Sequence, residues 1–150
     1  MNCKKLKANI EYTTPHGHVY RTDHKGRIKE VYAEDLSLQD GGRNSYAQRT
    51  VGREDRLPDD DGGHLISGAF GGSKDIDNLV PQSKYINRSF KDNGQWYKME
   101  KEWVKVLKGG GEVKNIRMKI DYDEESLRPI GFAIEFISQG EKQVRYIDNI

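Results

Sequence analysis

The chain has 150 residues, 34% hydrophobic and 33% charged, with 25 Lys and Arg against 24 Asp and Glu for a net charge of +1. That length fits one domain, and the near-neutral balance excludes a strong overall field for a polyanion, so any such attraction must be local. The single cysteine, Cys3, excludes an internal disulfide framework, and no apolar run approaches membrane-spanning length.

The opening MNCKKLKANI is too short and too polar for a secretory signal. Residues 1–17 are expected to form a flexible segment, the tail of a longer carrier. HVYRTD and RIKEVYAED flank His24-Lys25-Gly26, which reads as a hairpin turn, although Ile28, Val31 and Tyr32 do not alternate cleanly. Residues 39–62 have little apolar periodicity and read as a long loop, a feature that is usually functional. His64–Ser67 reads as a short strand and Gly68–Asp77 as a further loop. From Ser83 the pattern turns helical: Trp96, Met99, Trp103, Val106 and Leu107 fall at helical spacing, and Gly109-Gly110-Gly111 ends the run. Ile116, Met118, Ile120 and Tyr122 then alternate as a half-buried strand. Ile130, Phe132, Ile134 and Phe136 do the same, and QVRYID adds an edge strand. The plan is α+β, with an antiparallel sheet and one main helix.

The stretch from Asp59 to Phe90, DDDGGHLISGAFGGSKDIDNLVPQSKYINRSF, concentrates the chemistry. His64 follows an acidic, glycine-rich turn and opens a short apolar run, and Asn78 and Asn87 follow nine residues apart. A neutral imidazole can deprotonate water near neutral pH. An amide oxygen is a hard, weak ligand that suits Mg²⁺ and leaves most of its shell to water and phosphate, whereas Zn²⁺ would want His or Cys. His16-Gly17-His18 has no Cys or carboxylate at ligand spacing and reads as a turn. Asp59-Asp60-Asp61 lacks the spacing of an EF-hand loop.

This stretch, with WYKMEKEWVKVLKGGGEV and YDEESLRPIGFAIEF downstream, resembles the DNA/RNA non-specific endonuclease family. The ββα-metal (His-Me finger) site of that family carries a D-R-G-H motif followed by an N…N…E series. The likeness covers roughly residues 18–150, the expected nuclease domain. It is closest to the C-terminal toxin domains of bacterial secreted polymorphic toxins of the type VII, LXG-like kind. The resemblance implies that His64 is the general base, with a neighbouring backbone carbonyl fixing its tautomer. It implies that Asn87 binds Mg²⁺ directly, with Mn²⁺ as a substitute, and that Glu100 orients metal-bound water. Asp61 and Asn78 would support the site. A helix cap is the competing role for Asn87, a structural turn for Asn78 and a solvent-facing helix charge for Glu100. All four histidines lie at or before position 64, so the HNH variant, which needs a later metal histidine, does not fit.

The sequence departs from the family at Gly62, which stands where the motif has arginine. Whatever that arginine does for phosphate must come from elsewhere or be lost. Arg43, Arg49, Arg53 and Arg56 in the long loop, with Arg88 beside Asn87, are the candidates for binding nucleic acid and stabilising phosphate charge; a solvated basic face is the alternative for each. The resemblance implies in-line attack by water and a product with a 5′ phosphate, on DNA and, as a further substrate, RNA, with little sequence preference. It also implies secretion as part of a larger toxin, action in the cytoplasm of a target cell, and a cognate immunity protein, expected to be acidic. The reading from another class is a nuclease-fold module that has lost activity with the motif arginine and binds nucleic acid or a protein. No membrane insertion is expected of this domain.

Overall fold

The computed structural model describes residues 5–39, 45–89 and 94–150. Cys3 and Arg43 lie outside them. A six-stranded antiparallel sheet runs in the order β1 (Glu11–Thr13), β2 (Val19–Thr22), β3 (Ile28–Asp35), β6 (Val113–Tyr122), β7 (Pro129–Ser138), β8 (Glu141–Asp148). A separate two-stranded antiparallel ribbon joins β4 (Asp60–His64) to β5 (Leu79–Ser83). The helices are α1 (Ser45–Thr50), α2 (Lys84–Asn87) and the long α3 (Gln95–Lys108). This is the α+β plan, with α3 as its main helix.

The core forms where the alternating strands meet the apolar stripe of α3. Trp96, Met99 and Trp103 of α3 are buried, as are Val31, Ala33, Ile116, Met118, Ile120, Phe132, Ile134 and Phe136 of the sheet. The aromatic rings meet edge to face. Trp103 lies 5.2 Å from Phe136 and 5.9 Å from Phe70, and Trp96 lies 5.0 Å from Phe132.

Several sequence expectations are corrected. Residues 1–17 are not wholly a flexible tail: Glu11–Thr13 pair with β2, Leu6 packs on the core, and Thr22 donates its hydroxyl to the Lys7 carbonyl. The loop 39–62 contains α1, a 3-10 turn at Arg53–Asp55 and the start of β4. The short strand expected at His64–Ser67 ends, rather than begins, at His64. The broken alternation of β3 has a local cause. Thr22 pairs with Ile28 but Arg21 with Glu30, so Lys29 is bulged out and Ile28 and Val31 both face inward. Ile130 does not share the inner face of Phe132, Ile134 and Phe136. A register shift at Asp121/Tyr122 leaves it 47% exposed.

Trp103 fills the space between Phe70 and Phe136 and is fully buried. Trp103→Ala is expected to lower stability by about 3–5 kcal/mol, read from the urea midpoint at unchanged slope. A loss below about 1 kcal/mol would contradict this packing.

Candidate active site

The ribbon β4–β5 carries His64 at the end of β4, opposite Leu79. The backbone of β4 can run where it does because two of its residues lack side chains. A Cβ on Gly62 would lie 2.2 Å from the Gln48 carbonyl oxygen of α1, and one on Gly63 would lie 2.5 Å from Oε1 of the buried Gln82. The place of the missing motif arginine is therefore filled by the backbone of α1.

The acidic run Asp59-Asp60-Asp61 is pulled in three directions. Asp59 meets Lys84 of α2 at 3.2 Å near the surface. Asp60, its side chain 1% exposed, receives Nε and Nη2 of Arg128 at 2.7 and 2.9 Å. Asp61 takes both arms of Arg88, Nε at 2.9 Å and Nη2 at 2.6 Å, together with the Asn87 side-chain amide at 3.0 Å. Burial raises the Asp61 carboxyl, but the hydrogen bonds from Arg88 and Asn87 and the charges of Arg88 and Arg56 outweigh it and hold the group below the usual carboxylate range. The same hydrogen bond raises the Arg88 guanidinium above its ordinary value.

Asn87 closes the short helix α2. Its Nδ2 is spent on Asp61, which fixes the amide plane, and its Oδ1 makes no hydrogen bond among the described residues. An aimed amide oxygen of this kind fits a hard divalent cation that keeps most of its waters. Among the described residues no three His, Cys, Asp or Glu side chains converge as a metal site. Glu100 of α3 does not stand as a solvent-facing charge. It reaches Nε2 of His64 at 3.2 Å through Oε2 and 3.4 Å through Oε1, with side chains 15% and 30% exposed. The partner at the histidine's Nε2 is thus a carboxylate and not the backbone carbonyl expected from the family.

Asn78 is a buried anchor with every side-chain atom in use. Its Oδ1 accepts from the Tyr20 hydroxyl at 2.6 Å and the Ile66 amide at 3.0 Å, and its Nδ2 donates to the carbonyls of Ile66 and Ser73 at 2.7 and 2.8 Å. These bonds pin the chain immediately after His64. Tyr20, stacked on Tyr12 at 5.1 Å, is a supporting residue that sequence reasoning missed, because nothing local marks one core tyrosine above another.

The expected arginines separate. Arg56 is a structural brace: it donates to the carbonyls of Gln48, Val51 and Asp60 at 2.7, 3.4 and 2.8 Å. Arg49 is exposed on α1 and Arg53 half-buried in the 3-10 turn. Arg88 is exposed beside Asn87, one helical turn from Lys84.

Comparison with known proteins gives the family and the fold. The family model for DNA/RNA non-specific endonuclease matches residues 8–140. The type VII secretion system protein EssD of Staphylococcus aureus strains USA300 and Newman is 68% identical over 146 residues, 97% of this chain and 24% of that protein. The chain thus spans about a quarter of the length of these curated relatives. Among solved structures, NucA from Streptococcus agalactiae with magnesium bound superposes with a TM-score of 0.69 at 22% identity, covering 97% of this chain and 75% of that one. The Sda1 nuclease with bound zinc gives a TM-score of 0.64 at 12% identity, covering 88% and 75%. At these identities the two structures establish the fold alone.

Two outcomes follow from the packing around Asp61. Restoring the family's motif with Gly62→Arg is expected to destabilise by about 1–3 kcal/mol or more, because the side chain enters the backbone of α1, and to add no activity; a variant of wild-type stability with faster turnover would contradict the packing. Asp61 has a depressed pKa in the folded state, so its contribution is present above the ordinary carboxylate range and is lost as pH falls through the folded value. Asp61→Asn is therefore expected to cost about 1.5–3 kcal/mol at neutral pH and to converge on the wild type in acid, read from denaturant melts across pH.

Proposed function

Since the chain belongs to the DNA/RNA non-specific endonuclease family, we propose that it cuts DNA, with RNA as a further substrate, with His64 as general base and Mg²⁺ as its metal. The carrying observation is the contact of His64 Nε2 with Glu100. If Nε2 donates its proton to the carboxylate, the tautomer is fixed and Nδ1 keeps a lone pair. No hydrogen bond to Nδ1 occupies it among the described residues. His64 then takes a proton from water as the water attacks phosphorus in line, and Glu100 steadies the imidazolium that forms.

Asn87 would hold the metal through Oδ1. The bound ion, Mg²⁺ or Mn²⁺, would supply Lewis-acid stabilisation of charge on the phosphate. Arg88 presents a partly exposed guanidinium beside the site, already oriented by Asp61. We assign the contacts to nucleic-acid phosphates to Arg88 and Lys84 at α2, with Arg49 and Arg53 of the preceding segment. Contacts of that kind carry no base information, which fits a cutter without sequence preference. The 5′-phosphate polarity is taken from the family.

The likeness to EssD extends the proposal. This chain would be the nuclease region, residues 18–150, of a larger type VII secreted antibacterial toxin. It would act in the cytoplasm of a target cell and be restrained in the producer by a cognate acidic immunity protein that covers the arginines assigned to phosphate. An acidic partner would exclude the substrate and associate quickly.

Plasmid nicking tests the core of the reading. Activity is expected with Mg²⁺ and none with EDTA. His64→Ala should lose about 10²–10⁴-fold in rate while melting near the wild type. Asn87→Ala should raise the Mg²⁺ concentration for half-maximal rate by about 10- to 100-fold. Nicking by His64→Ala at the wild-type rate would contradict the base assignment, and absence of nicking by the wild type would favour the binding-module alternative.

A further inference from the structure

Among the described residues, the ribbon that carries His64 pairs with no strand of the six-stranded sheet. Two strands alone are marginally stable in water, so the ribbon must be docked. Apolar packing is non-directional and sets no register, whereas buried hydrogen bonds do. At the His64 end the fastening is Asn78, held by Tyr20 of β2. The other end, where Asp60 pairs with Ser83, has a second fastening built from residues that the site chemistry does not use.

From these contacts we infer that Asn149 is a positioning residue for His64, acting through the far end of the catalytic ribbon. This rests on the nuclease reading above. Asn149 is 5% exposed. Its Oδ1 accepts from the Ser83 amide at 2.7 Å, and its Nδ2 donates to the Pro81 carbonyl at 3.1 Å and the Pro129 carbonyl at 2.8 Å. Its own amide donates to the Ile130 carbonyl at 3.0 Å, and its carbonyl accepts from Nη1 of Arg128 at 2.9 Å. One side chain thus bridges β5 to the start of β7. Arg128 completes the bridge to β4 through the two-armed pair with Asp60, whose Oδ2 also accepts from the Leu57 amide at 2.9 Å.

The consequence runs along the strand. Five residues of extended chain separate the ends of β4 by roughly 13 Å, and the strand is stiff over that length. Asn87 and Arg88 sit on α2, which leaves β5 directly after Ser83, so they ride on the same ribbon. Glu100 sits on α3, against the main sheet. Loosening the Asn149 fastening therefore shifts His64, Asn87 and Arg88 together relative to Glu100. The phosphate contacts of Lys84 and Arg88 move with the ribbon and are kept, while the His64–Glu100 contact is not.

The test compares wild type, His64→Ala, Asn149→Ala, and Arg128→Lys as the milder variant should Asn149→Ala fail to fold. For the fastening variant, kcat is expected to fall by about 10- to 100-fold with KM within about threefold. Glu100→Gln should cost less in that background than in the wild type, because the contact it removes is already disturbed. Hydrogen exchange should rise at the amides of residues 61–64, 80, 82 and 83 and stay unchanged at 116–120 and 132–136. An unchanged kcat per folded molecule, additive costs with Glu100→Gln, or exchange rising evenly through the main sheet would overturn the inference. Loss of the nuclease reading itself shows separately, as a wild type that does not nick or a His64→Ala that does, and the exchange measurement still decides the fastening in that case.

Discussion

Two of three consecutive aspartates, Asp60 and Asp61, each claimed by a cation from elsewhere, hold the site in place. A run of like charges is unfavourable unless each member finds its own partner, and alternation along an extended strand sends neighbours to opposite faces. Asp60 turns inward to Arg128, while Asp61 turns to Arg88 and Asn87. Asp59, near the surface with Lys84, adds little because solvent screens it. Removing one partner of the buried Asp60–Arg128 pair would leave a charge in the interior, so that pair constrains the fold more strongly than its net stabilisation suggests.

On this view Asp61 is an orienting group. Its negative charge is spent on a two-armed guanidinium, and the one amide it also binds is thereby aimed. A divalent cation arriving at the site would meet the neutral oxygen of Asn87 rather than a free carboxylate. A weak amide ligand leaves the ion's remaining positions to water and to phosphate, which suits turnover on a polyanion. The same economy of charge explains how a chain of net charge +1 can act on nucleic acid. Lys84 and Arg88, one helical turn apart at α2, stand beside Asn87.

The main helix and the sheet of the second half were legible in the sequence because each buries one face against the other. Trp96, Met99 and Trp103 recur at helical spacing, and Ile116, Met118 and Ile120 alternate, so local period and burial agree. The helix α1 was not legible, since a six-residue element with Ala47 as its one buried apolar residue leaves no period to detect. Ile130 was misread because a bulge changes which face a residue takes, and nothing in the one-dimensional pattern marks the shift. His64, Asn87 and Glu100 were singled out through a resemblance. The use of Glu100 against the histidine, the brace made by Arg56 and the partners of Asn149 depend on contacts between distant residues that no local pattern encodes. Gly62 reads in the sequence as a loss; in the structure it is where the backbone of α1 passes.

The central claim is that Asp61 orients and Asn87 ligates. Anomalous diffraction from crystals soaked in Mn²⁺ tests it directly, because Mn²⁺ prefers the same oxygen donors as Mg²⁺ and can be located by its own scattering. An ion is expected on Oδ1 of Asn87, with both arms of Arg88 still bonded to Asp61. An ion seated on the Asp61 carboxylate, with Arg88 displaced, would contradict it.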